Sequence, residues 1–214
     1  MESYDVLSFD VGFYTMSYVY YNIKIENLNK VKEMVCGNLP DENIIDLKLV
    51  GASNIIPDLK HTKLKEEQNT YYGNKFAKEL NKKIGNVDLL IIEDQTINER
   101  TGYLEHALAC NFNPTFMPIH IKPSIKNEIK FNENLTFAEI TANHKTKPQK
   151  EHTWANFKFF CERYGYNNIV KNIGKFKFDI SDAFCQSLMI FKNNLNKIQK
   201  QDEKEIQYFI LFEK

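Results

Sequence analysis

The chain has 214 residues, of which 43% are hydrophobic, and its 28 basic and 28 acidic residues give a formal net charge of zero. That length supports one substantial core, so we expect one domain over residues 1–196 and a C-terminal extension of uncertain structure over residues 197–214. The sequence shows no membrane span, no secretory signal and no Cys-x-x-Cys pair, which argues against a membrane, secreted, zinc-binding or disulfide-stapled protein and favours an intracellular one.

The first half of the chain is rich in strand-forming residues. Runs of Tyr, Val, Leu, Phe and Ile predict two strands over residues 4–12 and 15–25, which we expect to pair as a hairpin. Further strands are predicted over residues 31–36 and 44–50. Apolar residues at helical spacing then predict an amphipathic helix over residues 64–84.

The second half alternates strands and helices. We predict strands over 87–92 and 115–121, helices over 99–111, 151–164 and 179–196, and a loop over 127–149 with one helical turn around 137–140. The run over 87–92 is continuously apolar, as expected for a strand covered on both faces. Strands followed by strand-helix alternation predict an α/β protein with helices on a mixed sheet.

Four carboxylates in three separate segments are the candidate functional residues: Asp10, Glu93, Asp179 and Asp182. Asp10 and Glu93 each follow an apolar run, where a buried negative charge is costly unless a cation or hydrogen-bond donors compensate it. Oxygen-only ligation suits Mg²⁺ or Mn²⁺, and two such ions can act on the attacking and leaving oxygens of a phosphodiester.

Each acid also has a plainer interpretation. Asp10 before Gly12 is compatible with a local turn or with the phosphate-binding hairpin of actin-like ATPases. Glu93 is followed by Asp94, and only one of these two faces a shared site because successive strand residues point to opposite sides. The pair at 179 and 182 is also good chemistry for the start of a helix. The four together favour a shared site, because like charges held close together require a cation or protons.

The order of these motifs resembles a known family. Asp-Val-Gly on the first strand, Leu-Ile-Ile-Glu-Asp-Gln at the end of an apolar strand and Asp-Ile-Ser-Asp-Ala-Phe at the start of a late helix resemble the RuvC-type Holliday junction resolvases of the RNase H-like superfamily. The similarity extends from about residue 5 to 192 and is greatest to the resolvases of poxviruses and other large DNA viruses. Two departures are the bulky residues 13–16, where the family often has Lys-Asn, and a longer segment over residues 31–75.

The resemblance implies a fold, a reaction and partners. The fold would be an RNase H-like mixed sheet of five or slightly more strands with helices on both faces. Asp10, Glu93, Asp179 and Asp182 would be the catalytic residues and would bind two Mg²⁺ or Mn²⁺ ions. The protein would be a homodimeric endonuclease that makes paired symmetric nicks in four-way DNA junctions, in the host cytoplasm or nucleus.

Ten lysines between residues 120 and 178 give that segment a basic bias. With the resemblance, they predict contacts to DNA phosphates, which flexible ammonium groups make in a salt-dependent way. Solvated surface lysines are the alternative. The predicted DNA-binding residues are Lys145, Lys147, Lys150, Lys171, Lys175 and Lys177.

Aromatic residues allow two interpretations. Tyr71, Tyr72 and Tyr103 are candidates for stacking on unpaired bases, although packing is the more ordinary role of each. Trp154 is at helical spacing with Phe157 and Phe160, which predicts a core position.

Three other functions remain open from the sequence. The chain is also compatible with an RNase H-like nuclease that cuts RNA-DNA hybrids or flaps. It is compatible with a non-catalytic DNA-binding or virion protein that keeps the fold. An actin-like ATPase is disfavoured by the chain length and by the lack of Gly-rich phosphate loops.

Overall fold

A computed structural model describes residues 2–12, 15–54, 66–93, 99–131 and 148–201. These ranges contain five strands and six α-helices. The strands are Ser3–Val11 (β1), Thr15–Lys24 (β2), Ile45–Asn54 (β3), Leu89–Glu93 (β4) and Ile119–Ile121 (β5). The helices are Leu28–Met34 (α1), Glu66–Ile84 (α2), Glu99–Phe112 (α3), Pro148–Arg163 (α4), Asn167–Asn172 (α5) and Lys177–Gln201 (α6). Short 3₁₀ helices cover Ile25–Asn27, Pro123–Glu128 and Gly174–Phe176.

The strands form one mixed sheet in the order β3-β2-β1-β4-β5. β1 pairs with β2, and β2 with β3, in antiparallel fashion, whereas β1 pairs with β4, and β4 with β5, in parallel. The long connections between the parallel strands carry helices, as parallel pairing requires. The mixed five-stranded α/β fold that the sequence predicts is confirmed.

Helices cover both faces of the sheet because the side chains of each strand alternate between two cores. Tyr4 and Val6 of β1 pack in a core with residues of α1, α4 and α6. Leu7 and Phe9 point to the opposite face and pack in a second core with residues of α2 and α3. The central strand β1 thus contributes to both layers, which is why its sequence is almost continuously apolar.

Most predicted elements are present, with shifted ends. The predicted hairpin, the strand at 44–50 and the strand at 87–92 correspond to β1, β2, β3 and β4. The strand predicted over 115–121 is only three residues long, and the helix predicted from 179 begins at Lys177. Helix α5 is an additional element that the sequence pattern did not indicate.

The strand predicted over residues 31–36 is wrong, because this segment belongs mainly to helix α1. Leu28, Val31 and Met34 are three residues apart and fully buried, so they form one apolar face of a helix. Gly37, at a φ of 111°, takes the left-handed conformation that commonly follows a helix. The strand interpretation considered the Val and Met residues by type and overlooked their spacing.

Some predictions fall outside the described residues. The helical turn predicted around 137–140 is one, and so are residues 202–214 of the C-terminal extension. Helix α6 continues past residue 196 to Gln201, and the domain boundary there stays a prediction. In the described part of the chain, no helix combines the length and apolar character that a membrane crossing requires.

Candidate active site

Asp10 and Glu93 lie side by side because two parallel strands end together. Phe9 of β1 pairs with Ile92 of β4, so the next residues of the two strands are Asp10 and Glu93. Asp10 alternates with Phe9, and Glu93 with Ile92, so both acids point to the face covered by α6. Alternation therefore supports Glu93 as the acid of this face; Asp94 lies outside the described residues.

Asp179 and Asp182 come from the first turns of α6, three residues apart on one side of the helix. Gln186, one further turn along the same side, donates its amide to the backbone oxygen of Phe9 at 2.7 Å. This bond ties α6 to β1 at the residue that precedes Asp10. It is a buried contact that fixes the distance between the strand acids and the helix acids.

The structure brings all four predicted acids to one cavity of about 320 Å³. Asp10, Glu93 and Asp182 are almost fully buried, with 8%, 3% and 2% of their surface exposed, whereas Asp179 lies nearer the opening. The cavity, which we call the acidic cleft, is lined by Asp10, Gly12, Thr15, Glu93, Lys126, Lys150, Asp179 and Asp182.

Two lysines pair with three of the acids. Lys126 Nζ lies 3.1 Å from Glu93 Oε2 and 2.8 Å from Asp182 Oδ2. Lys150 Nζ lies 2.7 Å from Asp179 Oδ1. Burial disfavours the charged form of Lys126, but the carboxylates of Asp182 and Glu93 outweigh it and raise its pKa above the ordinary value. Lys126 is therefore charged and acts as a buried counter-cation.

The acidic cleft still carries an excess of negative charge. Four carboxylates face two ammonium groups, so full ionisation leaves two negative charges uncompensated. Asp10 bears the cost: burial, followed by repulsion from Glu93, raises its pKa well above the ordinary value even though Lys126 opposes the shift. A further cation would relieve this repulsion.

The donors fit a hard divalent ion in kind and in charge, since carboxylate oxygens are the ligands that Mg²⁺ and Mn²⁺ prefer. As the side chains stand, no three acidic, histidine or cysteine residues in the described ranges are arranged to coordinate one ion. The ammonium of Lys126 lies within ion-pair distance of both Glu93 and Asp182. This ammonium marks a position where two buried carboxylates favour a cation.

The sequence did not predict two residues that contact the acids: Lys126, which lines the acidic cleft, and Thr153, which is bonded to Asp182. Lys126 was only one of ten lysines in a basic segment, and no pattern near it in the sequence shows that it contacts Glu93. Thr153 of α4 donates its hydroxyl to Asp182 Oδ1 at 2.5 Å and is fully buried. A lone threonine on a helix carries no signal that the sequence alone would reveal.

The predicted DNA-binding lysines are placed differently from one another. Lys150 lies in the acidic cleft, paired with Asp179. Lys171 and Lys175 are exposed on α5 and on the following 3₁₀ helix, and Lys177 is half-buried at the start of α6. Residues 145 and 147, which complete the predicted set as Lys145 and Lys147, lie outside the described residues.

The aromatic residues singled out in the sequence differ in burial and in the face of the sheet on which they lie. Phe157 and Phe160 are fully buried, as predicted, but Trp154 is only partly buried. Tyr71 and Tyr72 belong to α2, on the sheet face opposite to the acidic cleft. Tyr71 is 63% exposed and contacts Tyr72 edge to face.

Comparison of the sequence with protein-family models and with curated proteins gives no match. Comparison of the fold with solved structures gives matches. The crystal structure of fowlpox virus resolvase with substrate Holliday junction DNA matches with a TM-score of 0.51 and 18% identity, over 86% of this chain and 96% of that chain. The crystal structure of the fowlpox virus Holliday junction resolvase matches with a TM-score of 0.51 and 16% identity, over 92% of this chain and 99% of that chain. The structure of Thermus thermophilus RuvC matches with a TM-score of 0.49 and 8% identity, over 89% of this chain and 97% of that chain.

At these identities the likeness concerns the fold. It extends over nearly the whole length of the fowlpox virus structures, as the motif order from residue 5 to 192 predicts. The sequence resemblance and the structural likeness, obtained from different observations, agree. The chain thus has a mixed α/β fold similar to that of the fowlpox virus Holliday junction resolvase.

Proposed function

We propose that the protein is a metal-dependent endonuclease that resolves four-way DNA junctions by paired symmetric nicks. The observation that carries the proposal is the convergence of Asp10, Glu93, Asp179 and Asp182, from three distant segments, on one cavity. Buried acids of this number are costly for folding unless they serve to bind cations. The fold shared with a resolvase seen with Holliday junction DNA supports the choice of substrate.

In this proposal the four acids would hold two Mg²⁺ or Mn²⁺ ions, whose chemistry when bound is to activate water and stabilise the leaving 3′ oxygen of the cut strand. The chain itself performs the positioning. Thr153 orients Asp182, and Lys126 neutralises Glu93 and Asp182 until cations and phosphate enter. The products would carry 5′-phosphate and 3′-hydroxyl ends.

DNA binding would use the basic surface around the cleft. Lys171 and Lys175 are exposed, and Lys177 precedes Asp179 by two residues, so we assign contacts to DNA phosphates to these three lysines. A homodimer would present two identical clefts to a junction with approximate two-fold symmetry, which is what paired nicks require. Such an enzyme would act inside the cell, in the host cytoplasm or nucleus.

The test is a cleavage assay with labelled substrates. Purified protein is incubated with an immobile four-way junction, a duplex, a flap and an RNA-DNA hybrid, each with Mg²⁺ or with EDTA. We expect paired symmetric nicks in the junction, only with Mg²⁺. Asp182→Asn and Glu93→Gln should abolish cleavage and keep junction binding, whereas Asp46→Asn, at an exposed aspartate of β3, should cut normally.

Other outcomes would identify other functions. Preferential cleavage of the hybrid or flap would make the protein a different RNase H-like nuclease. Junction binding without cleavage under any divalent ion would make it a non-catalytic DNA-binding protein of the same fold. Normal cutting by Asp182→Asn would remove that residue from the reaction.

A further inference from the structure

Ser17 of β2 carries a buried hydroxyl that core packing does not explain. None of the surface of this residue is exposed, and within the described residues its Oγ has no hydrogen-bond partner. A buried hydroxyl without a partner costs free energy, because it gives up its bonds to water and gains none in the protein. An alanine would fill the same position at a lower cost, so the hydroxyl points to a function.

The register of the sheet places Ser17 beside one of the cleft acids. In the antiparallel pairing of β1 with β2, Ser17 is directly opposite Asp10. Directly opposite residues point to the same face of the sheet, with Cβ atoms about 4.5–5.5 Å apart. Rotation about the side-chain bonds of the two residues can therefore bring the serine hydroxyl within hydrogen-bond distance of the carboxylate.

The neighbours of Ser17 place it under the first turns of α6. Met16 packs in the core with residues of α2 and α3, so the next residue, Ser17, points to the opposite face, which α6 covers. On its other side Ser17 pairs with Ala52 of β3, which lines a separate cavity together with Ile180 of α6. Ser17 thus lies between Asp10 and Ala52, both of which adjoin the start of α6, and the helix shields its hydroxyl from bulk water.

A second buried hydroxyl in the same site shows what such a group does. Thr153 is fully buried, and its hydroxyl donates to Asp182. In metal sites a ligating carboxylate is itself hydrogen-bonded, which fixes the orientation of its oxygens. Asp182 has such a donor, and the register of β1 with β2 provides one for Asp10.

We propose that Ser17 is a positioning residue for metal binding, whose hydroxyl donates a hydrogen bond to the Asp10 carboxylate when Asp10 holds a divalent ion. The inference rests on the proposed function and deepens it by naming a group that orients one of the four acids. In the ion-free protein the hydroxyl does not add to stability, so its contribution arises only when the ion binds. It acts through Asp10 and contacts neither the ion nor the DNA.

The experiment compares the full-length protein with its Ser17→Ala variant in two measurements. Mn²⁺ binding is followed without DNA by electron paramagnetic resonance of the free ion, and stability is followed by urea unfolding in EDTA. We expect the variant to bind Mn²⁺ about tenfold more weakly, as for other groups that orient a metal ligand. We expect it to be at least as stable as the wild type, because it removes an unpaired hydroxyl. In the junction-cleavage assay, the Mn²⁺ concentration for half of the maximal rate should rise by the same factor.

Ser187→Ala is the matched control. Ser187 is a fully buried serine of α6 that accepts a hydrogen bond from the Tyr21 hydroxyl at 3.1 Å and donates one to the backbone oxygen of Phe184 at 2.7 Å. Its removal takes this partner from a buried tyrosine hydroxyl, so the variant should be less stable. Its affinity for Mn²⁺ should be unchanged, and the two serine variants should thus show opposite patterns in the two measurements.

Three results would overturn the role of Ser17 and leave the proposed function intact. Unchanged Mn²⁺ affinity in Ser17→Ala would show that the hydroxyl does not act through Asp10. A loss of stability with unchanged affinity would show an ordinary structural bond, for which Oε1 of Gln186, also buried and unpaired among the described residues, is the candidate acceptor. A loss of stability together with weaker binding would show a general disturbance of the site.

The wild-type titration tests the proposed function separately. If the wild-type protein bound no Mn²⁺, the metal-dependent function would be rejected, and the role of Ser17 with it.

Discussion

Asp10 carries the largest electrostatic cost in the acidic cleft. Burial and the neighbouring Glu93 raise its pKa, so the folded state binds this proton more tightly than the unfolded state does. The sign of the effect follows. Below the ordinary aspartate pKa, Asp10 imposes no cost. As the pH rises from that value through the raised pKa, ionisation of Asp10 lowers the free energy of unfolding.

We therefore predict that Asp10→Asn stabilises the ion-free protein at neutral pH, because it removes a buried carboxyl group whose ionisation is disfavoured in the folded state. The gain should vanish below about pH 3.9, the ordinary aspartate pKa. Urea unfolding of the wild type and the variant in EDTA, at neutral pH and below about pH 3.9, measures this difference in stability. A loss of stability in Asp10→Asn at neutral pH would contradict this prediction.

Residue types and their neighbours in sequence were sufficient to predict the four acids but not their supporting groups. Asp10 and Glu93 follow apolar runs, so their burial could be anticipated. The contacts of Lys126 and Thr153 depend on how a 3₁₀ helix and α4 approach α6 in space. No local pattern encodes that approach.

At the scale of elements, helices α4 and α6 form a matched pair. Lys150 and Thr153 are three residues apart on α4, and their partners Asp179 and Asp182 are three residues apart on α6. One helix therefore orients both acids of the other. In metal sites generally, mutation of a group that orients a ligand lowers metal affinity or activity about 10–100-fold.

This pairing predicts a graded effect at Thr153. Thr153→Val keeps the shape of the side chain but removes the hydroxyl that binds Asp182, so cleavage should fall about 10–100-fold. Thr153→Ser retains the hydroxyl and should restore most of the rate. Junction binding in EDTA should be the same for both variants. Equal cleavage by the Val and Ser variants would show that the hydroxyl does not position Asp182.

Elements whose hydrophobic residues follow one clear spacing were predictable. Elements whose residue types and spacing favour different structures were not. The continuous apolar run of β4 and the helical spacing in α2 each allow one interpretation. The segment at α1 contains residues that favour strands, yet burial of Leu28, Val31 and Met34 against the sheet favours a helix. Tertiary packing decided the outcome there.

At the scale of the whole molecule, the acidic cleft exists only in the native fold. Its acids are contributed by β1, β4 and α6, and the topology of the sheet brings them together. An ion that binds this set therefore binds the folded state and stabilises it by mass action. A dispersed set of acids in the unfolded chain would bind such an ion far more weakly.

We accordingly predict that Mg²⁺ or Mn²⁺ raises the melting temperature. At 100 times the dissociation constant the stabilisation is about 2.7 kcal/mol, or roughly 5–10 °C for a domain of this size. Differential scanning fluorimetry with and without the ion measures the shift. The double variant with Asp10→Asn and Glu93→Gln should lose most of it, and a shift retained in full by that variant would place the ion elsewhere.

The assembly of the cleft from both ends of the chain also affects what happens during synthesis. The ribosome delivers Asp10 with β1 and Asp182 only after all five strands of the described residues. A truncated or prematurely released product that stops before residue 177 lacks two of the four acids. It also lacks the helix that covers one apolar face of the sheet, so this face would be exposed and the product would be a target for proteolysis.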